Sequence, residues 1–217
     1  MIYLENIFVS LAVPLVIAVC LLKGETRRFL VFCILGLLSC LLSAYINSAL
    51  ASAVLTNGYA SLTMRQSMAQ ITPICEEILK AAPVFFFVAV QRPKRDAIIA
   101  VSLAVALGFA VFENCWYVMQ HGGDFVFALT RSLSAGVVHA VCAAILGFGL
   151  ALTHRRGRLA APCAFALLCA TSTFHAIYNL LIAAEGAWRG LGYAFPLSAA
   201  ALFFIIGTNK SIRGNAE

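Results

Sequence analysis

The sequence predicts an all-α integral membrane protein, a polytopic bundle of about seven transmembrane helices. Of the 217 residues, 62% are hydrophobic and only 11% are charged, and the mean hydropathy is +0.94. A soluble domain carries about 25% charged residues, so this composition excludes one. The chain shows no internal repeat, low-complexity tract or linker, and residues 1–217 are therefore predicted to form a single membrane domain.

Apolar runs long enough to cross a bilayer follow one another along the chain. They cover residues 7–22, 29–55, 68–90, 97–119, 133–152, 159–184 and 191–207. The first residues, "MIYLEN", lack the positive charge of a signal peptide, so the first run is expected to remain as a span. The second run exceeds the ~20 residues that a span needs, so we expect it to tilt or to extend past the interface.

The segments between the runs alternate in charge. The segments "KGETRR", "QRPKRD" and "HRRGR" and the tail "NKSIRGNAE" contain eleven Lys or Arg, whereas the other loops contain only Arg65, Arg131 and Arg189. By the positive-inside rule, this asymmetry predicts an N-terminus outside and a C-terminus in the cytoplasm. The topology accounts for the net charge of +6, which predicts contact with the lipid bilayer and no nucleic-acid partner.

Five glutamate and histidine residues lie inside the apolar runs. They are Glu76, Glu77, Glu113, His139 and His175. Each costs about 2.5 to 3.5 kcal/mol at the centre of a transmembrane helix, so such residues mark function by default. With the predicted topology, four of the five lie on separate helices about 9 to 13 Å below the outer surface, the exception being Glu77 beside Glu76. This shared depth predicts one buried polar site near the outer leaflet.

Helical spacing places a second polar residue beside three of the five. The i,i+4 pairs are Glu76 with Lys80, Glu113 with Tyr117, and His175 with Asn179. The adjacent Glu76 and Glu77 point about 100° apart, so only one of them aims fully into a given site. A carboxylate that takes a proton from water, together with imidazole and amide groups that stabilise an oxyanion, suits hydrolysis of a peptide bond.

Four motifs occur in order on four successive predicted helices. They are "EEILK" at residues 76–80, "GFAVFENCWY" at 108–117, "HAVCAAILGFGL" from His139, and "HAIYN" at 175–179. The ordered set resembles the PrsW family of intramembrane proteases, a relative of the type II CAAX prenyl endopeptidases and of the bacterial CPBP proteins. The likeness covers residues 68–184, the helices that would carry the catalytic motifs.

The resemblance implies a glutamate-dependent protease of a prokaryotic cytoplasmic membrane that cleaves single-pass or lipid-anchored proteins near the membrane surface. It also implies roles for individual residues: Glu76 as the catalytic base, with Glu77 in support. Oxyanion stabilisation falls to the histidine of the third motif, His139, and to the pair of His175 and Asn179. At the position of Glu113 the CAAX-type enzymes offer histidine, so Glu113 either orients water or holds a neighbouring histidine.

Other catalytic classes are weighed by their motifs. The sequence contains no H-E-x-x-H, no aspartate inside a run and no G-x-S-x-G. A cysteine protease built from Cys75 and His139 would need a thiolate in an apolar setting, which burial opposes. A zinc site is open to His139 and His175 with Glu76 or Glu113. Metal-free catalysis without a cofactor is favoured, because the ammonium of Lys80 would compete with a metal cation.

Three interpretations without proteolysis stay open. Glu76 and Lys80 would form a structural ion pair, Glu113 a helix-bridging hydrogen bond, and each histidine a satisfied core contact. A catalytically silent scaffold that binds transmembrane helices would need no water-activating carboxylate. A small transporter or proton relay would also place glutamate and histidine inside spans, but the chain has no inverted repeat.

Overall fold

Helices account for the regular structure of the chain. The computed structural model describes residues 4–56, 61–121 and 125–214. Within these ranges the α-helices are α1 (Leu4–Leu21), α2 (Gly24–Thr56), α3 (Ser61–Gln91), α4 (Arg95–His121), α5 (Phe125–Thr153), α6 (Ala160–Ala183) and α7 (Ala187–Gly214). A short 3-10 turn at Gly157–Leu159 precedes α6, and no strand occurs in the ranges given. The predicted all-α class is confirmed.

Five of the helices contain a segment that is long and apolar enough to cross a membrane. These segments are Gly24–Ala53, Arg95–Gln120, Phe125–Thr153, Gly157–Ala183 and Ala187–Ile205. The first helix, α1, contributes a shorter apolar stretch at Leu11–Leu21, and α3 carries charged residues at its centre. The chain is thus a multi-pass integral membrane protein, while the seven-span count and the orientation of the termini stay predictions.

Two helices begin well before the apolar runs that predicted them. The third helix starts at Ser61 and the fifth at Phe125, whereas the runs start at residues 68 and 133. Polar residues end an apolar run but do not end a helix, so hydropathy marks the membrane-compatible part only. Three loop predictions were therefore wrong: Arg65, Arg131 and Arg189 lie inside α3, α5 and α7. The last helix likewise continues to Gly214, and residues 215–217 of the basic tail lie outside the described ranges.

The fourth helix is the centre of the bundle. It packs most extensively against α5 and α2, while α3 packs against α6 and α2. Apolar side chains of α2, α3, α4 and α5 form the largest core cluster, which includes Phe87, Val101 and Leu146. The outer helices α1 and α7 cover α2 and α6 respectively. This arrangement brings the four motif-bearing helices, α3 to α6, into contact around one interior.

Two glycines let α2 and α4 approach closely. A Cβ atom on Gly36 would lie 2.0 Å from the carbonyl oxygen of Val105, and one on Gly108 would lie 2.0 Å from that of Cys33. Any side chain at either position would collide with backbone, which cannot move aside as a flexible side chain would. Small residues at helix interfaces are typical of transmembrane bundles, where close packing replaces the hydrophobic driving force of water.

Polarity is distributed in the opposite way to a soluble protein. Large apolar side chains are exposed, among them Phe86, Phe125 and Phe204, each at least 70% accessible. The buried polar and charged residues are Ser39, Ser43, Glu76, Glu77, Lys80, Ser102, Ser134, His139, Thr171, Ser172 and His175. Contiguous exposed apolar surface marks a site of interaction, here with lipid, and a buried polar interior marks function.

The basic connections lie together at one end of the bundle. The guanidinium of Arg28, at the start of α2, stands 5.7 Å from the ring centroid of Phe87 near the end of α3. Lys94 and Arg95 share the lining of a cavity of about 310 Å³ with Arg155. Counted along α3 to α6 from this end, the predicted site residues lie about 14 to 18 residues away, or roughly 21–27 Å. Their shared depth agrees with the predicted single layer.

Candidate active site

Four helices bring the predicted glutamates and histidines into one buried cluster. The third helix supplies Glu76 and Glu77, and the fourth, fifth and sixth supply Glu113, His139 and His175. The side chain of Glu113 is 14% accessible, and the side chains of the other four are at most 8% accessible. The rings of the two histidines meet edge to face with their centroids 5.2 Å apart.

The first part of the cluster is centred on Glu77. Its Oε1 atom accepts a hydrogen bond from the ammonium of Lys80 and another, 2.8 Å long, from Nδ1 of His175. The predicted pairing of Lys80 with Glu76 is therefore wrong, because the ammonium bonds the glutamate three residues back and not four. Both spacings share a helix face, and His139 on α5 decides between them by accepting from the same ammonium.

His139 is held at both ring nitrogens. Its Nδ1 lies 2.9 Å from the ammonium of Lys80, and its Nε2 lies 2.8 Å from Oε2 of Glu113. Since an ammonium only donates, we assign Nδ1 as the acceptor and place the proton on Nε2, which donates to the carboxylate. The ring thus joins α3 to α4 through α5, with no nitrogen left for a further partner.

Arg131 completes the far end of the cluster. Its guanidinium lies 3.0 Å from Oε1 of Glu113 and 3.6 Å from the ring centroid of Tyr117. Glu113 therefore uses one oxygen for His139 and the other for Arg131. Of the two roles that the sequence left open, orienting water or holding a histidine, this geometry is the second. Sequence reasoning missed Arg131. Its signal was a position eight residues before His139, about two helical turns along the same face of α5.

Glu76 is the exception in this cluster. Its Oε2 atom is buried and has no hydrogen-bond partner among the described residues. Nε2 of His175 lies 3.7 Å from this oxygen, which is beyond hydrogen-bond distance. The two buried cations, Lys80 and Arg131, are each paired with another carboxylate. Of the three glutamates, Glu76 alone has no cation in contact within the part of the chain that the structure describes.

A cavity of about 500 Å³ adjoins Glu76. Glu76, Glu113 and Tyr117 line it, and α2 contributes Ser43 and Asn47 to its opposite wall. The motif-bearing region predicted from the sequence, residues 68–184, omits α2 because that helix has no charged residue inside the apolar run. The available signal was the repeat of Ser39, Ser43 and Asn47 at every fourth position.

Two further residues bear on the predicted chemistry. Asn179 is half-buried on α6, and its side chain makes no hydrogen bond to any residue in the described ranges. Its neighbour Tyr178 is buried instead, with its hydroxyl 3.0 Å from that of Ser134 on α5. Cys75 is half-buried, and His139, its suggested catalytic partner, has both nitrogens engaged. This geometry gives no support to a Cys75–His139 pair.

The fold and this centre define a multi-pass helical membrane protein with a buried carboxylate–histidine site of the kind that hydrolases use. Residues 25–207 match the family model described as PrsW family intramembrane metalloprotease. The match covers most of the 217 residues, so the chain belongs to the PrsW family of intramembrane proteases. The resemblance seen in the four motifs is confirmed. No curated protein and no solved structure matches the chain.

The family description implies a metal, and the donor atoms allow its fit to be tested. Ligand atoms of Glu77, His139 and His175 lie within 4.8 Å of one another, and two histidines with one carboxylate form a usual catalytic zinc set. The cluster contains Glu77 in place of the Glu76 or Glu113 that the sequence suggested. However, the ammonium of Lys80 already bonds Oε1 of Glu77 and Nδ1 of His139. A cation does not fit these ligands while Lys80 is in place.

We predict that Arg131→Gln destabilises the bundle more than Arg131→Gln combined with Glu113→Gln. Removing one partner of a buried ion pair leaves an uncompensated charge and costs roughly 3 kcal/mol, whereas neutralising both removes that penalty. Chemical unfolding in detergent, performed on both single variants and the double variant, measures the difference. A loss in the double variant that equals the sum of the two single losses would show that the pair contributes nothing to stability.

Proposed function

We propose that the chain is an intramembrane endopeptidase that hydrolyses a peptide bond of a membrane-anchored protein with water activated by Glu76. The observation that carries the proposal is the Oε2 atom of Glu76, which is buried and without a partner among the described residues, on a side chain whose residue lines the cavity. An uncompensated carboxylate inside a membrane protein is costly to retain, so its retention supports a chemical role.

The geometry around Glu76 suits a single oriented water molecule. Nδ1 of His175 donates a hydrogen bond to Oε1 of Glu77, and the tautomer with its proton on Nδ1 carries the ring lone pair at Nε2. This nitrogen faces Oε2 of Glu76 across 3.7 Å, and Oε2 has no hydrogen-bond partner among the described residues. A water molecule that donates one hydrogen to each would satisfy both atoms and direct its oxygen away from them.

The reaction then follows from proton transfer through Glu76. The carboxylate takes a proton from the water as the water oxygen forms a bond to the carbonyl carbon of the substrate. The resulting tetrahedral oxyanion collapses with cleavage of the carbon–nitrogen bond. Glu76 returns its proton to the departing amine nitrogen, which leaves the base ready for another cycle.

The remaining residues of the cluster hold and polarise the site. The buried cations Lys80 and Arg131 favour negative charge developing nearby, because a water-excluded setting strengthens their field. Tyr117 lines the cavity and packs its ring against the guanidinium of Arg131. His139 supports Lys80 from behind and His175 orients the water. The role of Asn179 in oxyanion stabilisation stays a prediction, because no contact on α6 bears on it.

The position of the cluster supports cleavage near the outer leaflet. The basic connections mark the cytoplasmic end by the positive-inside rule, and the cluster lies roughly 21–27 Å from that end in a hydrocarbon core of about 30 Å. A single-pass or lipid-anchored membrane protein is the substrate class that this depth and the family suggest, in a prokaryotic cytoplasmic membrane.

Two other functions are distinguished by experiment. A zinc hydrolase at Glu77, His139 and His175 is favoured by the donor cluster but requires Lys80 to move away. A scaffold that binds transmembrane helices without cutting would use the same cavity and leave Glu76 without a task. The three functions differ in cleavage, in metal content and in their response to neutralising Glu76.

We predict that Glu76→Gln abolishes cleavage of a panel of tagged single-pass membrane proteins by purified protein in detergent. The amide keeps the size of the side chain but takes no proton from water, so we expect a loss of about 100-fold or more. Glu185→Gln is the matched control, because Glu185 is exposed in the connection between α6 and α7. Unfolding curves of both variants show that the fold is retained.

The same assay separates the alternatives. Normal cleavage by Glu76→Gln would remove Glu76 from the role of base. Loss of cleavage when wild-type protein is treated with a chelator would favour the zinc hydrolase. Binding of the tagged helices without cleavage by any form would favour the scaffold.

We predict that Lys80→Met creates a metal site that the wild-type protein lacks. Without the ammonium, the ligand atoms of Glu77, His139 and His175 are free to bind about one equivalent of zinc or cobalt. Metal content after dialysis and the visible absorption of bound cobalt measure this uptake independently of activity. Lys80→Arg is the control, since it keeps a cation at this place. Stoichiometric metal in wild-type protein would contradict the prediction.

We predict that the connection between α5 and α6 faces the cytoplasm. A cysteine introduced at Arg156 should resist a membrane-impermeant maleimide in intact cells and react after lysis, whereas one introduced at Glu185 should react before lysis. Both are compared with the wild-type protein, whose own cysteines set the background. The reverse pattern would move the proposed cleavage site to the inner leaflet.

A further inference from the structure

The cavity beside Glu76 has a second polar wall, formed by α2. This wall consists of Cys40, Ser43, Ala44, Asn47 and Ser48, which recur at the spacing of one helix face. The amide nitrogen of Asn47 donates to the hydroxyl oxygen of Ser43 at 3.1 Å. The amide is thereby oriented by its own helix, with its oxygen left for another partner.

That oxygen has no partner among the described residues. Four buried side-chain nitrogen or oxygen atoms there lack a hydrogen bond, and two of them, Oδ1 of Asn47 and Oε2 of Glu76, belong to residues that line this cavity. The other two belong to Asn114 and Arg131, which are not part of the lining. Asn47 on α2 and Glu76 on α3, which carry these two unpaired oxygens, therefore line the same cavity. A bound molecule that brings a hydrogen-bond donor would satisfy Asn47.

A peptide substrate brings such a donor. Within a transmembrane helix each backbone N–H is bonded to the carbonyl four residues earlier, so hydrolysis requires local unwinding that frees these groups. In a water-poor interior a freed N–H costs several kcal/mol unless it meets an acceptor. An amide oxygen supplies an uncharged acceptor that does not compete with Glu76 for a proton.

We propose that Asn47 is a substrate-positioning residue whose amide oxygen accepts a backbone N–H of the unwound substrate and aligns the scissile bond with Glu76. The inference rests on the proposed peptidase function and adds a determinant outside the four motifs. It implies recognition of a main-chain group instead of a particular side chain. The site then selects segments that unwind readily, and it discriminates against a substrate that lacks one specific N–H.

The test combines two variants with a set of modified substrates. Asn47→Leu keeps a similar volume without an acceptor, and Asn47→Ala is the second variant in case the first disturbs packing. A single-pass peptide that wild-type protein cleaves is made with one backbone N–H replaced by an ester oxygen, at each position around the cleaved bond in turn. Ser52→Ala is the matched control, because its exposed hydroxyl bonds a carbonyl of its own helix.

We expect Asn47→Leu to lower kcat/KM about 5- to 100-fold, mainly through a higher KM, because one buried hydrogen bond is lost. One ester position should lower wild-type kcat/KM by a similar factor and have no further effect in the variant, since both changes remove the same contact. Ser52→Ala should stay within about twofold of wild type. A KM and an ester profile for both Asn47 variants that equal those of wild type would overturn the inference.

Binding separates this inference from the proposed function. The dissociation constant of a labelled single-pass peptide, chosen for binding and not for cleavage, is measured in lipid nanodiscs for Glu76→Gln, with and without Asn47→Leu. Weaker binding in the double variant supports the contact of Asn47 with the peptide. If no form cleaves any peptide, the peptidase function is overturned but this contact is not. Equal binding in the two, with cleavage by the wild type intact, would overturn the role of Asn47 and leave the peptidase standing.

Discussion

The ammonium of Lys80 lies at the centre of the buried site, and the other polar contacts are arranged around it. It donates to Glu77 on its own helix and to His139 on α5, and it stands 4.8 Å from the ring centroid of Phe109 on α4. By pairing with Glu77, it separates two adjacent glutamates into one that is neutralised and one, Glu76, that is not. The division of roles within the glutamate pair follows from the position of this single cation.

The bilayer explains why the contacts form a continuous chain. Water does not reach such an interior freely, so each buried charge is stabilised by another protein group or else raises the free energy of the folded state. The chain runs from Arg131 through Glu113 and His139 to Lys80, Glu77 and His175, and it joins α3, α4, α5 and α6. Most of its members have structural contacts that account for them. Two oxygens have no hydrogen-bond partner among the described residues and belong to residues that line the cavity, Glu76 and Asn47.

The position of Lys80 disagrees with the metal that the description of the family implies. A metalloprotease needs lone pairs directed at a cation, and the cluster of Glu77, His139 and His175 provides them. In this arrangement two of those lone pairs, on Glu77 and His139, accept hydrogen bonds from the ammonium of Lys80. An ammonium and a divalent metal are alternative occupants of the same position. The ammonium of Lys80 was expected to compete with a metal cation, and its hydrogen bonds to two of the ligand atoms are the geometric reason.

Hydropathy and helical spacing by themselves determined that the chain forms membrane helices and that Glu76, Glu77, Glu113, His139 and His175 share one layer, because both depend on local periodicity and on the cost of charge in lipid. Partners across helices were decided only by tertiary structure. Lys80 is equally close along its helix to either glutamate, and its choice of Glu77 depends on where α5 and α6 place their histidines. From the sequence Arg131 is predicted in a loop, but α5 extends past its apolar run and includes it. Asn47 has no distinguishing feature in the sequence, and it reaches the cavity because the glycine contacts bring α2 against α4. Spacing along one helix carries no information about the rotation of its neighbours, and that rotation sets the pairs.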